Sequence, residues 1–165
     1  MILAIDPGNE HSAFVLYDGG RLHDFGKVEN QTLLDRLEHY RIASDELAIE
    51  MVASYGMPVG REIFDTVRWI GRYEQAWSAM NGRVELVYRQ AVKLHLCGQA
   101  RAKDGNIRQA IIDRYGGKSA AIGLKASPGP LRGVSSDVWS ALAIAVTYSD
   151  GRGKSQATAS CGVSG

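Results

Sequence analysis

The chain has 165 residues, of which 45% are hydrophobic and 22% are charged, and its formal net charge is +1. This composition is typical of one globular domain with a sizeable core, and no apolar run approaches the roughly 18 residues of a membrane helix. The N-terminus lacks the basic and small-residue flanks of a signal peptide, so we expect a cytoplasmic protein. Cys97 and Cys161 match no metal-ligand spacing, and two cysteines make a poor disulfide framework.

Apolar periodicity and turn residues predict short strands that alternate with helices. The patterns predict five strands, over residues 1–6, 12–17, 22–26, 46–51 and 84–88. They predict helices over residues 31–41, 61–80, 91–96 and 106–115 and a last helix after Ser136. Residues 116–133 are predicted to form a mobile surface loop. The Asp18-Gly19-Gly20 turn predicts an antiparallel meander at the start of the chain. We expect residues 1–150 to form a single domain and residues 151–165, which have almost nothing to pack, to form a disordered tail.

Three carboxylates lie at the ends of apolar segments. Asp6 ends the first strand, Glu50 lies near the end of the fourth, and Asp137 begins the last helix. A glutamate inside an apolar strand requires a partner, because an unpaired buried carboxylate is costly. Strand ends and the first turn of a helix form a rigid platform on which such acids can hold divalent cations.

This set of acids is suited to phosphodiester hydrolysis, in which two divalent ions about 4 Å apart activate a water and relieve charge on the leaving oxygen. Asp6 would bridge both ions, with Glu50 on one side and Asp137 on the other. Ligand sets made only of oxygen atoms favour Mg²⁺ or Mn²⁺ over zinc. The four histidines are scattered, and only His11 follows Asp6 closely. The acids therefore predict a metal-dependent nuclease.

The charge is distributed unevenly along the chain. Residues 83–132, which we call the basic segment, contain ten Lys or Arg and three acids, so they carry +7 and the rest of the chain carries −6. A charge run of this kind is also typical of an ordinary solvated face. A basic stretch beside an acidic cluster is, however, what an enzyme that cleaves a polyanion requires. We expect the acids to hold cations and the basic segment to hold phosphates.

The helix over 61–80 has two apolar stripes about 90° apart, whereas a single core face usually needs a narrower band. The first stripe consists of Ile63, Val67, Ile70 and Trp77, and the second of Trp69, Tyr73, Ala76 and Met80. One interpretation is a helix packed deeply on the sheet. The other is that the second stripe contacts another subunit.

Three acidic motifs follow one another in order: Ile5-Asp6-Pro7-Gly8, Ala48-Ile49-Glu50 and Asp137-Val138-Trp139-Ser140. Between the last two lie Arg89-Gln90-Ala91-Val92-Lys93, Gly98 and Ala102-Lys103. This ordered set resembles the RuvC-type Holliday-junction resolvases of the RNase H-like superfamily, and the resemblance covers roughly residues 1–149. It implies an α/β, RNase H-like fold with a five-stranded mixed sheet flanked by helices. It also implies a homodimer that makes paired nicks in opposed strands of a four-way DNA junction.

The resemblance also implies roles for individual residues. Asp6, Glu50 and Asp137 would be the metal ligands, and Lys93 and Lys103 would contact DNA phosphates or support the cut. The basic segment adds further candidate DNA contacts, which are Arg101 and Lys118. The helix over 61–80 falls where the family dimerises, which favours the subunit-contact interpretation for Trp69 and Tyr73.

Two positions depart from the family pattern. The last motif of the family usually has a second acid or a histidine three residues after the first, and this chain has Ser140 there. A hydroxyl can hold a metal-bound water but brings no charge. The family also has an aromatic residue three positions after the strand glutamate, which stacks on a junction base. Here that position is Ala53, and Tyr55 is the nearest substitute. Short phage-encoded members vary in these ways, so the departures do not imply loss of activity.

Other functions remain open at this stage. A nuclease acting on RNA or on another DNA branch is an alternative, because the same set of acids recurs across RNase H-like folds. A second alternative is a module that binds junctions without cutting them, with Ser140 as the sign of a decayed site. An actin-type ATPase also opens with a strand, an Asp and a Gly. This chain is short for that two-lobed fold and lacks a Gly-rich phosphate loop in its second half.

Overall fold

The computed structural model describes residues 1–54, 56 and 58–160, and for residues 153–160 it describes only the backbone. Tyr55, the predicted stacking residue, therefore lies outside the described part of the chain. The elements are β1 (Ile2–Asp6), β2 (His11–Asp18), β3 (Arg21–Glu29), α1 (Asn30–Ala43), β4 (Glu46–Met51), α2 (Arg61–Ala79), β5 (Arg83–Tyr88), α3 (Arg89–Cys97), α4 (Asp104–Arg114), α5 (Lys118–Ala121) and α6 (Val138–Ser160).

The five strands form one mixed sheet in the order β3-β2-β1-β4-β5. The first three strands are antiparallel neighbours, as the Asp18-Gly19-Gly20 turn predicts, whereas β4 and β5 run parallel to β1. Parallel neighbours require a crossover, and the helices α1 and α2 lie in these two connections. The predicted α/β fold with a five-stranded mixed sheet and flanking helices is confirmed. Because β1 and β4 are parallel, Asp6 and Glu50 reach the same edge of the sheet.

Both faces of the sheet are covered, which explains why the central strand is apolar at successive positions rather than at alternate ones. Ile2 and Ala4 face α6, and Leu3 and Ile5 face α1 and α2. On the α6 side, three fully buried alanines allow the helix to lie close to the strands: Ala141, Ala143 and Ala145. This tight packing fixes the start of α6, and with it Asp137, against the end of β1.

Tyr73 is a core residue, so its assignment to a subunit interface was wrong. Its side chain is 0% exposed within a single chain. Its hydroxyl lies 3.2 Å from Ser12 Oγ and donates to the Asn30 carbonyl at 3.2 Å. A tyrosine hydroxyl in a protein core usually has hydrogen-bond partners of this kind. Trp69 is only partly buried, and its ring contacts Tyr73 on one side and the Arg72 guanidinium, 4.0 Å from the ring centroid, on the other.

The segment 116–133 lies largely on the surface, as predicted, but it also contains regular structure that the sequence did not indicate. It contains α5 and an antiparallel bridge between Gly123 and Pro128. Leu131 is fully buried, and its N–H donates to the Ala121 carbonyl at 2.8 Å. Gly123 has φ +66°, and a Cβ there would lie 2.3 Å from the Ser127 carbonyl oxygen. Glycine is therefore required for this tight turn.

The last helix continues past Gly151. The backbone of α6 is helical from Val138 to Ser160, so it includes residues 151–160 of the segment that we assigned to a disordered tail. Residues 161–165 lie outside the described part of the chain. Among residues 1–54, 56 and 58–160, no helix combines the length and apolarity needed to cross a membrane.

Candidate active site

The register of the sheet places four residues in one row across its edge. Asp6 pairs with Ala13 on β2, and Ala13 pairs with Lys27 on β3. On the other side, Ile5 pairs with Ile49, so Glu50 follows Asp6 at the end of the parallel strand β4. Directly paired residues share a face of the sheet, so Glu50, Asp6, Ala13 and Lys27 all face the side that carries α6. The central acids are thus positioned by backbone pairing rather than by loops.

The Asp6 and Glu50 carboxyl groups are in contact. Burial, the Glu50 charge and a hydrogen bond between the two carboxyls together raise the pKa of Asp6 to about 8, against the Arg89 charge that lowers it. The Glu50 side chain is itself only 13% exposed. Two buried carboxyls in contact do not both ionise readily near neutral pH unless a cation lies beside them. This pair therefore favours either a shared proton or a bound cation.

Asp137 completes the acidic edge from the opposite side of the site. It directly precedes α6, and its carbonyl accepts hydrogen bonds from the N–H groups of Ser140 and Ala141. Its carboxylate accepts a hydrogen bond from Lys27 Nζ at 2.5 Å and another from Ser136 Oγ at 3.1 Å. These contacts, chiefly the one with Lys27, lower the pKa of Asp137 below its usual value. Asp137 is therefore ionised and already has a cationic partner.

Arg89 links the acids to the basic segment, a role that the sequence analysis did not assign to it. Its Nη1 lies 3.7 Å from Glu50 Oε2, and its Nη2 donates to Asp104 Oδ1 at 2.6 Å. Burial opposes the charged form, but the hydrogen bond to Asp104 and the Glu50 charge outweigh it and raise the pKa of Arg89. Nη1 is buried and has no hydrogen-bond partner among the described residues. The available signal was its position, directly after β5 at the same edge as Glu50.

An open cavity of about 360 Å³ lies between Arg89 and the start of α6. Asp137, Ser140 and Asp104 line it, together with Arg108, whose guanidinium lies 4.9 Å from the centroid of the Trp139 ring. Ser140 is thus beside Asp137 and the cavity, as the helical spacing predicts, although it adds no charge. The cavity opens the acidic edge to a ligand on the side of the basic segment.

The donor set at this edge fits a divalent cation in part. Asp6 and Glu50 offer carboxylate oxygens in contact, which is the ligand chemistry that Mg²⁺ and Mn²⁺ prefer. Among residues 1–54, 56 and 58–160, however, no group of three or more His, Cys, Asp or Glu side chains is arranged to hold a metal. Asp137 is bound to Lys27 instead, and His11 is an exposed residue at the start of β2. The three predicted acids therefore do not converge on a single cation position in this structure.

The predicted DNA-contacting residues differ in whether they line a cavity that Arg89 borders. Lys93 on α3 lines a second cavity, of about 260 Å³, together with Arg89. Lys103 directly precedes Asp104 at the start of α4, and both are exposed. Arg101 and Lys118 are also exposed, but neither lines any of the three cavities that Arg89 borders. Lys93 thus shares a cavity with Arg89, and Lys103 is the chain neighbour of Asp104, which is bound to Arg89.

Comparison with known proteins identifies the fold. No family model matches this chain, and no curated protein matches it. Two similar solved structures are RuvC from Thermus thermophilus in complex with a Holliday junction substrate and a second structure of Thermus thermophilus RuvC. The first has a TM-score of 0.63 and 23% identity, and the second has a TM-score of 0.59 and 21% identity. Each similarity covers 90% of this chain and 92% of the other. The chain therefore shares the RNase H-like fold of RuvC over nearly its whole length.

Proposed function

We propose that this chain is a metal-dependent endonuclease that resolves four-way DNA junctions by paired nicks. The observation that carries the proposal is the contact between the Asp6 and Glu50 carboxyls at the edge of the sheet, beside Asp137. It is supported by the similarity in fold to a RuvC that was solved with a Holliday junction substrate. The contact between the carboxyls supports the metal-dependent chemistry, and the similarity in fold supports the choice of substrate.

Asp6 and Glu50 are the proposed ligands of Mg²⁺, for which Mn²⁺ would substitute. When bound, the metal supplies an activated water and relieves charge on the phosphate. Arg89 holds Glu50 from the side of the basic segment, so it orients this ligand and limits repulsion between the acids. Asp137 and Ser140 border the cavity in which a phosphodiester would lie. Each of these residues is fixed by a strand end or by the first turn of a helix, which suits the precise placement that catalysis requires.

The basic segment is proposed to hold the DNA backbone. Lys93 lines a cavity with Arg89, Lys103 precedes the Asp104 that is bound to Arg89, and Arg101 and Lys118 are further exposed cations of the segment. Contacts of this kind neutralise phosphates without reading the sequence, and they fix the register of the nucleic acid on the protein. Lys103 is also proposed to support the cut, because its neighbour Asp104 is bound to Arg89.

A homodimer would supply two such sites for opposed strands. The surface that favours dimerisation is the first half of α2, which exposes Ile63 by 36%, Phe64 by 60% and Val67 by 38%. Exposed apolar side chains that adjoin one another are typical of protein interaction surfaces. Ile63 and Val67 also line a cavity of about 280 Å³ that Glu50 borders. We infer that the dimer contact lies on this half of α2 and extends towards the partly buried Trp69.

One observation favours a second candidate, a module that binds junctions without cutting them. Asp137 is bound to Lys27, and Ser140 stands where the resolvase pattern has an acid, so the metal site is poorer in charge than the family pattern implies. A nuclease that acts on RNA or on another branched DNA remains the other alternative. The substrate assay separates the proposal from the binding module and from a nuclease that acts on an RNA–DNA hybrid.

The test is a comparison of substrates with the wild-type chain. A synthetic four-way junction, a linear duplex of the same sequence and an RNA–DNA hybrid are each incubated with Mg²⁺, Mn²⁺ or EDTA. The proposal predicts cleavage of the junction alone, in the presence of metal. Cleavage of the hybrid or the duplex would retain the metal site but contradict the proposed substrate. Tight binding of the junction without cleavage in either metal would support the binding module instead.

A further inference from the structure

Lys27 is the only basic residue of the described chain that contacts Asp137. Its Nζ lies 2.5 Å from Asp137 Oδ2, and the two side chains are 47% and 44% exposed. Lys27 belongs neither to the acidic motifs nor to the basic segment. It lies 110 residues before Asp137 in the chain, so only the fold brings the two together.

The sheet directs Lys27 to this position. Lys27 is paired with Ala13, which is paired with Asp6, and all three face α6. Two strand spacings separate Lys27 from Asp6, or about 10 Å between their backbones. The intervening residue is an alanine, so the lysine side chain can extend over it towards the acids. The position of this cation is therefore determined by the backbone register and by the small size of Ala13.

The neighbours of Asp137 are unfavourable for a second divalent ion. Ser140, which lies beside Asp137 at the same cavity, contributes a neutral hydroxyl. The Lys27 ammonium would repel a cation placed on the same carboxylate. The three acids already face two cations of the chain itself, Lys27 at Asp137 and Arg89 at Glu50. The three ionised acids and these two cations leave a charge of −1, which one divalent ion at Asp6 and Glu50 already exceeds.

We propose that the Lys27 ammonium takes the place of a second metal ion, so that each chain holds one divalent cation through Asp6 and Glu50. The proposal rests on the proposed function, because it assumes that these two carboxylates bind a metal. Lys27 then neutralises Asp137 and presents a positive charge to a phosphate at the cavity. A protonated lysine donates three hydrogen bonds, so it can bind Asp137 and a phosphate oxygen together.

The number of bound ions tests this proposal directly. Mn²⁺ binding to the full chain is measured by isothermal titration calorimetry, and bound Mn²⁺ is counted independently by electron paramagnetic resonance. We expect one ion per wild-type chain and its loss in Asp6→Asn. We expect Lys27→Met to bind a second ion, which the further change Asp137→Asn removes. Arg21→Met is the matched control, since it removes one charge from the opposite end of the same strand and should leave one ion bound.

Asp137→Asn alone gives a second measurement that does not depend on the folding of the Lys27 variant. If Lys27 rather than the metal is bound to Asp137, the Mn²⁺ affinity should change by no more than about fivefold, because interactions between half-exposed charges are weak. A much larger loss of affinity would overturn the proposal, as would two ions in the wild type. One ion of unchanged affinity in Lys27→Met would also overturn it. These results leave the proposed nuclease intact, whereas a wild-type chain that binds no Mn²⁺ would overturn the proposed function itself.

Discussion

Asp6 and Glu50 end two adjacent parallel strands, and their carboxyl groups contact each other on the face covered by α6. Ionising both groups without a cation is unfavourable, because both are buried and would then carry the same charge. The fold maintains this contact through the pairing of β1 with β4. The first prediction follows from it.

Asp6→Asn should stabilise the metal-free protein at neutral and alkaline pH. The pKa of Asp6 is about 8 in the folded state and 3.8 in an unperturbed carboxyl. Between these values the folded state binds more protons than the unfolded state, so its stability falls as the pH rises from about 4 to about 8. In EDTA at pH 8, Asp6→Asn should raise the melting temperature by about 2–4 °C, or roughly 1 kcal/mol.

The measurement is thermal unfolding of both proteins at several pH values with and without Mg²⁺. Mg²⁺ should raise the melting temperature of the wild type more than that of Asp6→Asn. Asp18→Asn is the matched control, because Asp18 ends β2 at the opposite edge of the sheet. If the melting temperatures of wild type and Asp6→Asn changed in parallel with pH, the unfavourable contact between Asp6 and Glu50 would be contradicted.

Arg89→Met should destabilise the fold. Arg89 is the cation that meets both Glu50 and Asp104, and its removal takes away the counter-charge of the buried Glu50. We expect a loss of about 1–3 kcal/mol in urea unfolding, as for hydrogen bonds to charged groups. Arg61→Met, on a side chain that is 94% exposed, should cost less than about 0.5 kcal/mol. Equal losses of unfolding free energy in the two variants would show that the ion pairs of Arg89 do not stabilise the fold.

The salt dependence of junction binding should depend on Lys93 and Lys103. Each phosphate contact contributes a slope of roughly −0.9 to a plot of log affinity against log salt. Lys93→Ala and Lys103→Ala should therefore each flatten the slope by about one unit, and adding Lys118→Ala should flatten it further. Arg21→Ala, at the far end of β3, should leave the slope unchanged. A slope that survives all three lysine substitutions would exclude the basic segment as the DNA-binding surface.

Phe64→Glu should convert a dimer into a monomer. Phe64 is the most exposed apolar residue of the patch on α2, and a carboxylate there would be buried without a partner in the interface. Sedimentation equilibrium should give twice the chain mass for the wild type and one chain mass for the variant. Ser78→Glu introduces the same charge on an exposed position near the end of α2 and should not change the mass. A wild-type protein that is monomeric at every concentration would rule out this interface.

Asp150 should stabilise the protein only above its lowered pKa. Its two carboxylate oxygens accept hydrogen bonds from Arg114 at 2.5 and 2.6 Å, and His95 Nε2 lies 2.7 Å from one of them. The Arg114 contact lowers the pKa of Asp150, so its contribution is present at neutral pH and is lost as the pH falls through that lowered value. Asp150→Asn should cost about 1 kcal/mol at pH 7 and little near pH 2. An equal cost at both pH values would contradict this account of the cluster.

The fold and the acidic pair could be predicted because their signals are local. An apolar run that ends in Asp6 indicates a strand end, and the helical spacing of residues 61–80 indicates α2. The roles of Lys27 and Arg89 depend on which strands pair and in what register. Neither property can be read from the residues around them, so both were missed.

Tyr73 shows the opposite failure, in which a local pattern was correct and its interpretation was not. Tyr73 belongs to the second stripe of α2, but it packs against α1 and the sheet rather than against another subunit. A helix that lies between two elements needs a wide apolar face, and hydrophobic spacing alone does not identify what covers it. The hydroxyl bonds to Ser12 and Asn30 distinguish the two cases.

The most direct test of the central claim is strand-specific nicking of a four-way junction by wild type, Asp6→Asn and Asp18→Asn in Mg²⁺. Each of the four strands carries its own label, so the position and pairing of the nicks are read in one experiment. We predict paired nicks in opposed strands for the wild type and Asp18→Asn, and an intact junction with Asp6→Asn. Undiminished nicking by Asp6→Asn would contradict the assignment of the active site to the Asp6–Glu50 pair.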